Sequence, residues 1–216
     1  MKKDNKSKVI IIGNSPSILD HERGNTIDSY DVVIRINNCP VVGYERFIGK
    51  KINIWATTKN TIYHKNFYPP EYDNLDYIWH RTNSTKQQCL LPHRKIPSIV
   101  MYKNKFFNDN FKKYGEKFHK ETSHEFCTGM LTILTSTIFF KHVDILGFKF
   151  YQTSGCKNNF NYSYYRQNQV DSDNKHFEDQ NYRANLMTHF AGEKTANAKK
   201  QILDDLVSAG KINILD

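Results

Sequence analysis

The chain has 216 residues, 38% of them hydrophobic, which bounds it to one domain large enough to bury a sizeable core. Its apolar runs are short and spaced, none approaching the roughly 18 residues of a membrane span, and four cysteines without C-x-x-C spacing exclude a zinc ribbon or a redox pair. The formal net charge of +9 points to a polyanionic partner: nucleic acid, an anionic membrane surface or a negatively charged substrate.

Met1 to Lys8 is basic, but only four apolar residues follow, too few for the hydrophobic region of a secretion signal. The chain is therefore expected to stay in a cytosol, with Cys39, Cys89, Cys127 and Cys156 as reduced thiols. Val9-Ile10-Ile11-Ile12 reads as a central parallel strand, since four β-branched residues in a row suit burial on both faces. Gly13 allows a tight exit, Asn14 and Ser15 offer polar groups on the turn, and Pro16 with Ser17 predicts a capped helix start that could face an anion. No G-x-G-x-x-G and no Walker lysine follow, so neither common diphosphate cradle is supported.

A second buried strand, Val32 to Asn37, ends in the polar pair Asn37-Asn38. Further strands are predicted over Ile52–Ala56, Asp76–Trp79 and Ile99–Tyr102, with a proline loop at Tyr68–Tyr72. Lys103 to Lys120 interleaves lysine with Phe106, Phe107, Phe111, Tyr114 and Phe118, and reads as one or two solvated helices covering the core. Cys127-Thr128-Gly129 opens a helix from about Met130 to Phe140, and a strand at Val143–Gly147 follows. From 148 to 183 the chain is aromatic and polar without a period, as an active-site loop or lid would be. A helix from about Glu193 to Ser208, a C′ glycine at Gly210 and a strand over Ile212–Leu215 close the chain. The expected fold is a single α/β, Rossmann-like domain over residues 1–216, with a mostly parallel central sheet, helices on both faces and that lid.

Several of these segments carry motifs. VIIIGNSPSIL opens the chain, and DSYDVVIRINNCPVVGYERFIGKK contains D-x-x-x-R-x-N and V-G-x-E-x-x-x-G. CTGMLTILTSTIFFKHVDILGFKFYQ contains T-G-M and, at its end, GFKFYQ. His176-Phe177-Glu178-Asp179 follows, then His189 with Glu193. In this order, over about residues 8–215, they resemble the sialyl motifs of glycosyltransferase family 29, and the opening and the GFKFYQ run are also similar to the bacterial family 42. The resemblance implies an inverting, metal-independent transfer of a sialic acid or related nonulosonic acid from its CMP donor to a glycan hydroxyl. No cofactor is expected beyond that donor.

By the same resemblance, His189 matches the general base and His176 the histidine that stabilises the leaving phosphate, while Tyr151 matches the family 42 tyrosine that contacts it. Tyr162, Tyr164 or Tyr165 could supply a second hydroxyl. Asn14, Ser15, Asn37, Thr128 and Gly129 are the donor-binding candidates on the residues themselves, being polar groups at strand ends or at a helix N-terminus. One phosphate is less charge to neutralise than a diphosphate, so neutral donors and a histidine can suffice without a divalent metal. Asp171-Ser172-Asp173 has metal-binding D-x-D spacing but sits in a polar loop and reads as solvated.

The motifs also depart from the family. Lys8 and Lys141 stand where its paired cysteines would fall, Cys127 replaces the serine of S-T-G, and Glu193 follows His189 by four residues instead of five. Aligned on the family 42 histidine motif, Glu193 would take the base position, so it is the rival to His189 and would need its pKa raised by burial. Glycan or lipid-linked oligosaccharide acceptors are expected, with peripheral contact at an anionic membrane to use the basic charge and no nucleic-acid partner. A CMP-Kdo-using transferase and a non-catalytic, basic nucleotide- or nucleic-acid-binding module are the alternatives.

Overall fold

In the computed structural model every residue of β1 (Val9–Ile12) is buried, because this strand lies inside a parallel sheet with cover on both sides. The structure describes residues 1–37, 39–57, 75–81, 96–101, 109–123, 125–148 and 193–215. After β1 come α1 (Gly24–Asp28), β2 (Val32–Ile36), α2 (Glu45–Ile48), β3 (Ile54–Thr57), β4 (Tyr77–His80) and β5 (Ser98–Val100). Then follow α3 (Asp109–Thr122), α4 (Thr128–Phe139), β6 (Val143–Leu146), α5 (Glu193–Ser208) and β7 (Ile212–Leu215). Among the described residues the strands form one seven-stranded sheet in the order β5-β4-β3-β2-β1-β6-β7, every neighbouring pair parallel.

Alternation along the strands divides the core. Val9, Ile11, Ile34, Ile36, Ile54, Ala56, Trp79, Val143 and Ile145 face one layer, where they pack with Phe118 of α3, Met130 and Ile133 of α4, and Ala198 and Leu203 of α5. Ile10, Ile12, Val33 and Leu146 face the other, against Ile18, Ile27 and Ile48. The predicted class, a parallel sheet with helices on both faces, is the one observed.

Helix α4 is buried around most of its circumference, and two of its hydroxyls are satisfied by the carbonyls one turn back. Thr132 Oγ1 donates to Thr128 O at 2.7 Å and Ser136 Oγ to Thr132 O at 2.7 Å. Helix α3 is the solvated cover its pattern predicts: Phe118 is buried against Phe126, while Lys112–Glu116 and Lys117–Glu121 pair along the exposed side. It starts at Asp109; residues 102–108 lie outside the described residues. Helix α5 ends as its C′ glycine implies. Gly210 has φ +62°, its N–H donates to Val207 O and that of Lys211 to Leu206 O, the paired bonds of a Schellman cap.

One local expectation fails. Pro16 and Ser17 do not start a capped α-helix; Pro16–Leu19 is a single 3-10 turn whose N-cap is Ser15. Ser15 makes no side-chain bond to the turn's amides, and its Oγ lies 3.0 Å from Ser17 Oγ. Four residues closed by Ile18 N–H on Ser15 O carry no aligned stack of amides, so no helix N-terminus backs Asn14 and Ser15. The Ser15 N–H is spent on Gly147 O instead, at 3.0 Å.

Candidate active site at the carboxyl edge of the sheet

The strand order reverses at β1, which has β2 on one side and β6 on the other, and ligands of open α/β sheets bind outside the carboxyl ends at such a point. Here the backbones of Gly13 and Gly147 approach closely. The Gly13 N–H donates to Leu146 O at 2.7 Å, and a Cβ on Gly13 would lie 2.2 Å from Gly147 O. Glycine is required at residue 13 by this contact more than by its own turn.

From that junction the carboxyl edge is stitched strand to strand. Asn14 Nδ2 donates to Ile36 O at 3.0 Å, tying the β1 turn to the end of β2. Asn37, in the left-handed region at φ 51°, donates its N–H to Ala56 O and accepts Trp55 Nε1–H at 2.7 Å. Arg81 N–H donates to Thr57 O, and Met101 N–H to His80 O. A helix that leads into a parallel strand enters from the carboxyl side, so α4 and α5 both begin at this edge. Thr128 and Gly129 open α4, and Thr128 Oγ1 is buried with no hydrogen-bond partner among the described residues. A buried orphan hydroxyl at a helix N-terminus suits an incoming oxyanion.

The structure thus brings Asn14, Ser15, Asn37, Thr128 and Gly129 to one edge. Glu193 opens α5 at the same edge. His176, His189, Tyr151, Tyr162, Tyr164, Tyr165, the Asp171–Asp173 pair and the segment from 149 to 183 predicted as part of the lid lie outside the described residues, as does Asn38. Among the described residues no group of three His, Cys, Asp or Glu is arranged to hold a metal ion, and no helix is long and apolar enough to cross a membrane.

The D-x-x-x-R-x-N run separates into distinct tasks. Asp31 accepts the Lys8 N–H at the entry to β1, and Arg35, fully buried, donates to Ile48 O, Gly49 O and Lys51 O. Arg35 therefore shapes the connection from α2 into β3, and only Asn37 of the three stands at the candidate site. His80 and Arg81 are edge residues that the sequence reading passed over. The signal that marked Asn14 and Asn37, polar residues directly after an apolar strand, is present there too. Burial lowers the His80 pKa, which keeps its imidazole neutral around pH 7.

Known proteins share this architecture. The model of glycosyltransferase family 29 (sialyltransferase) matches residues 1–195. The chain belongs to that family. A CMP-N-acetylneuraminate-beta-galactosamide-alpha-2,3-sialyltransferase 1 from Gallus gallus is 26% identical over 151 residues, covering 64% of this chain and 43% of the relative. A CMP-N-acetylneuraminate-beta-1,4-galactoside alpha-2,3-sialyltransferase from Mus musculus is 42% identical over 50 residues, 23% of this chain and 13% of that one. The chain spans less than half the length of these family 29 relatives. The crystal structure of a mammalian sialyltransferase with Gal-beta-1-3GalNAc-ortho-nitrophenol superposes with a TM-score of 0.54 at 17% identity, over 96% of this chain and 68% of that one, which establishes the shared fold.

Proposed function

We propose that this family 29 chain transfers a sialic acid, or a related nonulosonic acid, from its CMP donor to a glycan hydroxyl. The observation that carries the reading is the gathering of Asn14, Ser15, Asn37 and the Thr128–Gly129 helix start at one edge, beside the β1/β6 reversal. Asn14 and Asn37 suit the cytidine and ribose, and the start of α4 suits the single phosphate. In the transfer the bond from the sugar's anomeric carbon to the phosphate oxygen breaks, its electron pair leaving on CMP. The acceptor oxygen bonds that carbon from the opposite face, inverting it, and gives its proton to a base. His189 is our choice for that base and Glu193 its rival, with His176 and hydroxyls from Tyr151 and Tyr162 or Tyr165 on the leaving phosphate. Neutral and histidine donors let the reaction proceed without a divalent metal. Lipid-linked or surface glycans reached from the cytosolic side of an anionic membrane fit the basic charge of +9.

Release of CMP from CMP-sialate by the purified protein, undiminished by EDTA, is the expected result. His189→Ala should lower turnover by roughly 10²–10⁴, the usual range for a positioned base, with CMP affinity unchanged. A folded, inactive Glu193→Gln beside a near-normal His189→Ala would exchange the two roles. No CMP release from CMP-sialate with release from CMP-Kdo would move the assignment to that donor.

A further inference from the structure

Arg81 lies one residue beyond β4, and its N–H on Thr57 O, at 3.0 Å, continues the ladder through it. Two residues after Trp79, it stands on the same face of the sheet, the face that α4 covers. There its Nη2 meets Glu125 Oε2 at 3.3 Å, and Glu125 is three residues ahead of the first residue of α4. The two partners are unequal, with 21% of the Arg81 side chain exposed against 65% of Glu125. Arg81 Nε is buried and has no hydrogen-bond partner among the described residues. A guanidinium presents Nε–H and an Nη–H as parallel donors matched to the two oxygens of a carboxylate. One prong of this fork is held at long range by a solvated carboxylate that can swing away into water. The other is a buried donor with no acceptor among the described residues, a state native proteins keep rare.

We propose that Arg81 receives the carboxylate of the donor's nonulosonate through its Nε and Nη2, Glu125 yielding the fork as the donor binds. The assignment rests on the sialyl-transfer reading and extends it from the nucleotide half of the donor to the sugar half. Its placement agrees with the chemistry. With the nucleoside at the ends of β1 and β2 and the phosphate at the start of α4, the sugar comes next along the edge toward β4, where Arg81 stands. The C1 carboxylate is what separates a nonulosonate from neutral hexoses, so the fork would set donor specificity as well as affinity.

Calorimetry with CMP, CMP-N-acetylneuraminate and the C1 methyl ester of the latter tests this on the intact chain. The wild type should bind the acid roughly 10–100-fold more tightly than the ester, the range of one charge-assisted hydrogen bond. Arg81→Gln should erase that preference and leave CMP affinity unchanged. Arg81→Lys should restore part of the preference, which also serves if Arg81→Gln folds poorly. Glu125→Gln should keep the preference and tighten the acid severalfold, because a competitor for the fork is gone. A structural ion pair behaves otherwise, both variants melting lower and binding all three ligands alike, and that outcome overturns the proposal. Equal binding of acid and ester by the wild type also overturns it, as does an Arg81→Gln that weakens CMP as much as the acid, which puts the fork on the phosphate. In both cases CMP binding by the wild type leaves the sialyl-transfer reading standing. A wild type that binds neither CMP nor the acid defeats that reading together with the role of Arg81.

Discussion

Arg35 shows how much a single buried cation can hold in place without entering the chemistry. Its side chain donates to three carbonyls, Ile48 O at 2.7 Å and Gly49 O and Lys51 O at 3.0 Å. Arg35→Met has nearly the same volume and none of the donors, so the carbonyls lose charged partners that bulk water cannot replace. We expect a loss on the order of 3 kcal/mol in urea unfolding, since hydrogen bonds to charged groups contribute about 1.5–3 kcal/mol each and are not additive. His80 gives a pH signature. Burial lowers its pKa from 6.5, so between that value and the lower folded one the unfolded chain binds more protons. Stability should therefore fall as pH drops below about 6.5. His80→Gln should flatten that limb when wild type and variant are melted side by side from pH 8 to pH 5. An unchanged slope in the variant would assign the limb to other groups.

At the scale of the element, α4 starts with a defect. Cys127 is its N-cap, with the extended backbone (φ −68°, ψ 164°) that a capping side chain needs, yet it makes no side-chain bond to the first turn. Cys127→Ser should provide that bond and raise stability by about 1 kcal/mol, a melting-point gain of about 2–4 °C in a chain of this size. Because the same turn faces the proposed phosphate, CMP affinity should rise or hold, and a fall in both quantities would mean that the thiol is packed for a purpose of its own. The elements were legible where one physical signal dominated. β1, β2 and β6 are nearly unbroken apolar runs, and α5 carries its own stop signal in Gly210. The turn after β1 was misread because Pro and Ser are equally at home in a 3-10 turn, and here the run closes three residues back, Ile18 N–H on Ser15 O and Asp20 N–H on Ser17 O. Arg81 was missed because a lone arginine after a four-residue strand looks like a solvated strand end. The orphaned Nε and the neighbouring Glu125 come from segments 44 residues apart in sequence.

For the molecule as a whole, the contact between Gly13 and Gly147 locks the two halves of the sheet at the carboxyl edge. Gly13→Ala would drive a methyl to 2.2 Å from the Gly147 carbonyl oxygen, a main-chain atom that cannot rotate away. Overpacking of this kind costs about 1–3 kcal/mol, and the strain should appear as faster hydrogen exchange at Gly13 and Ser15, whose N–H groups bridge β1 and β6. Donor binding should weaken with it, since Asn14 is positioned from the same turn. Normal exchange and normal CMP affinity in Gly13→Ala would show that the edge has more play than its geometry implies.

The central place of β1 also dictates a timetable. Ile11 pairs with Ile34 on one side and with Ile145 on the other, so on the ribosome its first neighbour arrives early and its second only after most of the chain has been made. Until Val143–Leu146 emerges, the nascent half-sheet carries Val9–Ile12 as a bare edge, fully apolar and with a row of unpaired amides. This strand is fully buried in the finished protein and exposed along one edge during its synthesis, and polypeptides halted before Val143 should be the species that chaperones retain.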